Sequence, residues 1–275
     1  MRVNLYTDAP KHNLALMKIS AWHKEQDDEV CLNMPIMPCD YSYASVLYYK
    51  NINLYHADEY GGPAFPSFCL PHEIETMKPD YDLYDMDCSL GYTYRPCFRG
   101  CDFCKVKEMN HPDKKHHSIW EFHDPIFRKI RLLNNNTFAD KQWKETFEEI
   151  WDAGLTVIDE NGYDLRLMDD EKANALRKTK FQGQIHYAWD RIKDEHQILE
   201  GLKIAPKGMV YVLIGYDTTE EEDIYRVQKI VDLGHDPYIM PYHQSKKEMR
   251  FKRFIGLFMW RKYTTIEKAW SDYAA

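Results

Sequence analysis

From residue 89 onward, short apolar and β-branched runs alternate with amphipathic segments of helical period, and this alternation is what most narrows the fold. Strands spaced by roughly 10–15 residues of helical pattern predict repeated βα units and parallel strand pairing. The strand-like runs are residues 89–95, 129–133, 155–158, 185–189, 209–214 and 236–242. Residues 143–151 place Phe147 and Ile150 on one helix side, and residues 169–178 carry an acidic first turn. The run Met209-Val-Tyr-Val-Leu-Ile214 reads as a strand buried on both faces; it ends at Gly215 and leads into Asp217-Thr-Thr-Glu220, a helix N-cap signal. In parallel α/β barrels, function gathers where loops leave the carboxyl ends of the strands. Asn134, Asn135, Asn136, Asp164, Arg166, Asp190, Gly215 and Tyr242 stand at such ends and are expected to face one opening.

The N-terminal part reads differently. Residues 2–7 predict a strand, residues 13–25 a helix with Leu14, Met17, Ala21 and Trp22 in helical spacing, and residues 29–32, 43–49 and 52–56 further strands before Gly61-Gly62-Pro63 breaks the chain. This pattern suits a small doubly wound domain. Residues 65–87 have no clear period and read as a connector, so we expect a small α/β domain with its connector over 1–85, a barrel over 86–245 and a C-terminal helical cap over 246–275. A chain of 275 residues with 44% hydrophobic and 14% aromatic content can bury such a core.

A net charge of -8 argues against a generic nucleic-acid binder, and no apolar run approaches the ~18 residues that a membrane span needs. Residues 246–262 are basic and aromatic and could guide a nucleic acid or acidic peptide. Phe251, Phe254, Ile255 and Phe258 share one helical face, however, so the favoured reading is a docked capping helix.

Cys97, Cys101 and Cys104 stand at C-x3-C-x2-C spacing in Arg95-Pro-Cys-Phe-Arg-Gly-Cys-Asp-Phe-Cys-Lys105. Three thiolates on one short loop can hold three corners of a four-iron cluster and leave one iron open. A Cys3His zinc site with His111, His116 or His117 is the alternative, and so is a non-catalytic iron–sulfur carrier. The odd count of seven cysteines and the lack of a signal peptide speak against disulfides and for a reducing, cytoplasmic compartment. Cys31, Cys39, Cys69 and Cys88 are scattered and are expected to be small core residues. Arg95, Arg99 and Lys105 read as solvated cations near the loop.

The triplet, with aromatic Phe103 directly before its last cysteine, resembles the signature of the radical S-adenosylmethionine (radical SAM) superfamily, above all uncharacterised bacterial and bacteriophage members. That resemblance implies a partial (β/α)6 TIM-like barrel whose first strand precedes the cysteine loop. The preceding Rossmann- or flavodoxin-like domain is similar to the cobalamin-binding domain of some members. The resemblance implies a 4Fe-4S cluster on the three cysteines, S-adenosylmethionine bound at its open iron, and reductive cleavage to a 5'-deoxyadenosyl radical that abstracts hydrogen from an unknown substrate. It also implies a reducing partner such as flavodoxin or ferredoxin. Asn134, Asn135 and Asn136 occupy the place where the superfamily often carries Gly-Gly-Glu for the methionine amino group. Gly215 and Tyr242 match positions that hold adenine. The cobalamin-ligand pattern Asp-x-His-x-x-Gly is missing, with His56-Ala-Asp-Glu-Tyr-Gly61 in the wrong order, so cobalamin is not expected.

Overall fold

Val3, Asn4 and Leu5 are all buried, so strand β1 (Arg2–Thr7) is covered on both faces at the centre of a sheet. The computed structural model describes residues 1–65, 68–109, 114–159 and 161–274. With β2 (Glu29–Leu32), β3 (Tyr41–Ser45) and β4 (Glu59–Gly61), β1 forms a four-stranded sheet of order β2-β1-β3-β4, each pair parallel. Parallel neighbours need a crossover, and helix α1 (Leu14–Lys24) supplies it between β1 and β2. Asn13 caps α1 by accepting from the Leu16 N–H at 3.2 Å. Leu16 and Ile19 pack with Val3 and Leu5, whereas Leu14 and Met17 pack with Tyr81 and Leu90. The helix is thus wedged between two layers.

The segment expected as a strand at 52–56 is instead turn and loop, and the fourth strand forms later, at β4. Asp8 accounts for the difference. Its carboxylate accepts from the Leu47 N–H at 2.7 Å, the Tyr48 N–H at 3.1 Å and the Asn51 amide at 2.8 Å, which pins the chain leaving β3 into a turn before it can pair. Burial alone would raise the Asp8 pKa, but these donors hold it below the ordinary carboxylate value.

The connector contains the single turn α2 (His72–Glu75) and a 3-10 turn at Tyr81–Tyr84; residues 66 and 67 lie outside the described residues. The Tyr81 hydroxyl donates to the Phe122 carbonyl at 2.5 Å and accepts from the Leu90 N–H at 3.1 Å. It thereby fixes strand β5 (Ser89–Gly91), which pairs in parallel with β6 (Lys129–Leu132). Leu90 of β5 packs in the same cluster as Leu14 and Met17 of α1. The chain divides into two compact units, Met1–Asn135 with Glu148–Leu155, and Asn136–Phe147 with Thr156–Ala275.

Helix α3 (Trp143–Asp152) carries the chain across that division. In the second unit, β7 (Thr156–Asp159) pairs in parallel with β8 (Lys180–Phe181) across α4 (Asp170–Lys178). Two further βα crossovers follow: β9 (Ile185–Trp189), α5 (Glu195–Ile204), β10 (Gly208–Ile214), α6 (Glu220–Asp232) and β11 (Asp236–Pro241), in sheet order β11-β10-β9. Thr219 and Glu222 cap α6 reciprocally. Each strand pair described here is parallel, and the chain is of the α/β class.

Strand β10 departs from the expectation of burial on both faces. Gly208, Val210, Val212 and Ile214 are buried, while Met209, Tyr211 and Leu213 are half-buried. On that second face the rings of His186, Tyr211 and Tyr238 form a row across β9, β10 and β11, at 5.1 and 5.5 Å between neighbours.

The C-terminal segment is helical as α7 (Lys246–Gly256), followed by α8 (Ile266–Ala274). Phe251, Phe254 and Ile255 are buried, and Trp270 of α8 packs on Phe251 at 5.0 Å and Phe254 at 5.4 Å. Phe258 leaves the expected apolar face. The helix stops first, Phe258 takes φ +54, and Arg261 stacks over its ring at 4.2 Å.

Candidate functional site

The loop that carries the cysteines leaves the carboxyl end of β5 and is braced at its root. Asn134, buried after β6, accepts from the Thr93 N–H at 2.9 Å and the Tyr94 N–H at 3.0 Å and donates to the Thr93 hydroxyl at 2.8 Å. Asn135 donates to the Arg95 carbonyl at 2.6 Å. Two of the asparagines expected to receive an amino group therefore act as clamps on the loop. We expect Asn134→Ala, which removes the acceptor of two amides, to lower stability by about 2 kcal/mol; the urea midpoint of that variant checks it.

Beyond the clamp, Cys97, Cys101 and Cys104 are each partly exposed. The Cys104 N–H donates to the Cys101 carbonyl at 3.0 Å, closing a turn over Asp102 and the half-buried Phe103. Gly100 before this turn has φ +55, a conformation that a side chain would strain, and a Cβ there meets nothing within 4 Å. Among the described residues, no three His, Cys, Asp or Glu side chains converge as metal ligands. The donor set nonetheless fits an iron–sulfur cluster in type and number: three partly exposed thiols on a short loop whose root is fixed. Ligand loops of this kind order when metal binds.

Among the described residues, no histidine joins the three cysteines in a ligand set. His111 lies outside the described residues, and His117 Nδ1 is 2.8 Å from Glu121 Oε2. The other cysteines only partly follow expectation: Cys88 is buried, Cys31 is intermediate, and Cys39 and Cys69 are exposed, so neither of the last two is a core residue. Arg95 is not simply solvated either, since it pairs with Glu75 at 2.5 Å.

In the second unit, three expected residues and Asp194 form one polar network. Asn136 donates to Asp164 at 3.1 Å; Arg166 donates to Asp164 at 2.7 Å and to Asp194 at 2.9 Å. Burial works against the charge on Arg166, but Asp164 and Asp194 more than offset it and keep the guanidinium charged. Asp190, at the carboxyl end of β9, feels the same groups. Burial pushes its pKa from 3.8 to about 6, with Arg166 and Arg226 opposing the shift. A carboxyl so placed can hold or release a proton near neutral pH.

The linkage has a definite sign. A folded-state pKa above the unfolded one gives stability that is complete below about pH 4 and is lost as the pH rises through about 6, on the order of 3 kcal/mol in all. Asp190→Asn will therefore gain stability relative to wild type as the pH rises from 4 to 8. Urea midpoints of both chains across that range test this, and a constant difference between them contradicts it.

Gly215 and Tyr242 sit at neighbouring strand ends, where the Tyr242 N–H donates to the Ile214 carbonyl at 3.0 Å. Gly215 has φ +74, and a Cβ would stand 2.5 Å from Glu248 Oε1. It admits the Glu248 carboxylate to the end of β10. The rings of Tyr242 and Tyr216 meet edge to face at 4.9 Å.

Sequence reasoning missed Arg226. Its side chain is fully buried and donates to the carbonyls of Trp189 and Leu213, each at 2.7 Å, and to Asp223 at 2.5 Å. It ties the carboxyl ends of β9 and β10 to α6. An arginine in an acidic helix gives no sequence signal for this role.

Comparison with protein families and with curated proteins finds no match to this chain. Among the described residues, no helix is long and apolar enough to cross a membrane.

Proposed function

We propose that this chain is a radical SAM enzyme with a partial (β/α)6 barrel, holding a 4Fe-4S cluster on Cys97, Cys101 and Cys104. The observation that carries the proposal is the position of the C-x3-C-x2-C loop: it leaves the carboxyl end of β5, a parallel strand, and β6, β7, β9, β10 and β11 follow in a chain built from βα crossovers. Cluster and S-adenosylmethionine together supply one-electron cleavage of the sulfonium, and with it a radical able to abstract hydrogen.

The chain's own residues position and shield. Asn134 and Asn135 hold the root of the cysteine loop, which fixes where its thiolates act. Asp164, Asp190 and Asp194 around Arg166, with Arg226 already paired to Asp223, leave a region of negative balance, suited to a ligand that carries sulfonium and ammonium charges. Asp164, hydrogen-bonded to Asn136, also supplies a carboxylate beside the asparagine run, which itself lacks the acidic residue of the Gly-Gly-Glu pattern. The row of His186 and Tyr211, both half-buried, with the exposed Tyr238 is a face suited to a bound organic molecule, and the barrel reading makes it the lumen wall. Gly215 and Tyr242 would border adenine. The N-terminal sheet, parallel and in order β2-β1-β3-β4, supports a doubly wound ancestry.

The test is anaerobic reconstitution with iron and sulfide, reduction with dithionite, and chromatography for 5'-deoxyadenosine. Product formed only with S-adenosylmethionine and iron supports the proposal; stoichiometric zinc in place of iron defeats it.

A further inference from the structure

Two cavities of the first unit, of about 380 and 300 Å3, share a wall made by Leu14, Lys18, Leu70, Glu75, Tyr92 and Arg95. The charges on that wall do not cancel. Lys18 Nζ and Arg95 Nη2 donate to the same oxygen of Glu75, at 2.8 and 2.5 Å. Lys18 also donates to the Glu75 main-chain carbonyl. Two cations on one carboxylate leave one net positive charge, and the side chains are only 12%, 23% and 21% exposed for Lys18, Arg95 and Glu75. Lys115 and Glu121, one charge of each sign, also line the larger cavity.

The cations are also held in place. The Arg95 guanidinium lies over the Tyr92 ring at 4.6 Å, which fixes its plane. Lys18 projects from α1, whose neighbours Leu14 and Met17 are locked in the core. Burial is the main cause of a Lys18 pKa below the ordinary value, and it is partly offset by Glu75. An arginine fork and a lysine beside a cavity of small-molecule size are what an oxyanion requires.

We propose that the Lys18–Arg95 wall binds the carboxylate or phosphate of a small anionic ligand, in cavities whose described lining includes none of the three cysteines. Glu75 sets its strength by neutralising one of the two cations. This role separates the proposal from a purely structural ion-pair network, in which Glu75 would only hold the cations together.

The experiment is isothermal titration of the full chain, at low ionic strength, with inorganic phosphate and with succinate. Wild type should bind one of them saturably, one per chain, and the tighter probe identifies phosphate or carboxylate as the ligand group. Lys18→Met should weaken binding about tenfold, by loss of one charged hydrogen bond. Glu75→Gln keeps the side-chain shape and should tighten binding several-fold. The chain with all three loop cysteines changed to Ser should bind as wild type does, so a failed cluster reconstitution leaves this result unaffected. No saturable binding by either wild type or Glu75→Gln overturns the proposal, as does binding that neither Glu75→Gln nor Lys18→Met alters.

Discussion

Cys101→Ala will lose iron incorporation and all formation of 5'-deoxyadenosine, yet will unfold at the same urea concentration as the wild-type apo chain. Two thiols cannot hold the three corners that leave a single open iron, so the effect on product is complete rather than graded. Stability is spared because Cys101 is partly exposed on a loop, and substitutions at such places stay within about 0.5 kcal/mol. Cys88→Ala should show the reverse. Its thiol is fully buried beside β5, where burial pushes its pKa up, so its loss leaves a void and lowers the urea midpoint while iron binding persists. Iron content, product and urea midpoint of the two variants together give a crossed pattern. Iron retained by Cys101→Ala, or iron lost from Cys88→Ala with the fold intact, would falsify the assignment of the cluster to the triplet.

The strands of the later chain were legible because each is a run of apolar and β-branched residues between turn formers. All six expected runs contain a strand, from β5 to β11, and among the described residues only the two-residue β8 went unforeseen. Helix α6 announced itself through Asp217-Thr-Thr-Glu220, a local signal needing no tertiary partner, although the cap itself is Thr219 with Glu222. Residues 52–56 misled because their β-type composition gives way to Asp8, more than forty positions earlier, which holds Asn51 and the chain before it in a turn. The face of β10 misled for a related reason: an apolar run shows what a strand can bury, not how much neighbouring elements cover.

Among site residues, the cysteine triplet was legible because its three thiols share one short stretch of chain, so its spacing is local in sequence. The Asn136, Asp164 and Arg166 grouping followed from their shared position at strand ends, and the network among them agrees with it. Arg95 and Lys18 were not legible as a pair, since they meet only through Glu75, which neither precedes in any motif. Long-range convergence on a shared carboxylate leaves no spacing to read.

Arg226→Met will be the most destabilising single change in the second unit, at about 3–5 kcal/mol, the range for breaking a buried ion pair from one side. The guanidinium is fully buried and satisfies the carbonyls of Trp189 and Leu213 as well as Asp223, so three acceptors lose their donor together. Asp223 bears the largest share. Burial already raises its pKa, against the opposing pull of Thr218 and Arg226, and without the arginine it rises further. A carboxyl whose folded pKa is raised loses its linked stability as pH increases through that value, so the variant will be least impaired in acid and most impaired at neutral pH and above. Adding Asp223→Asn, which removes the orphaned charge while keeping an acceptor for Thr218, should restore at least about 1 kcal/mol at pH 8 and much less at pH 4. Urea unfolding of wild type, single and double variants at both pH values measures this. If the double variant gains nothing over the single at pH 8, Arg226 acts through the two strand carbonyls alone, and the ion pair at the carboxyl edge of β9 and β10 is not what holds that edge together.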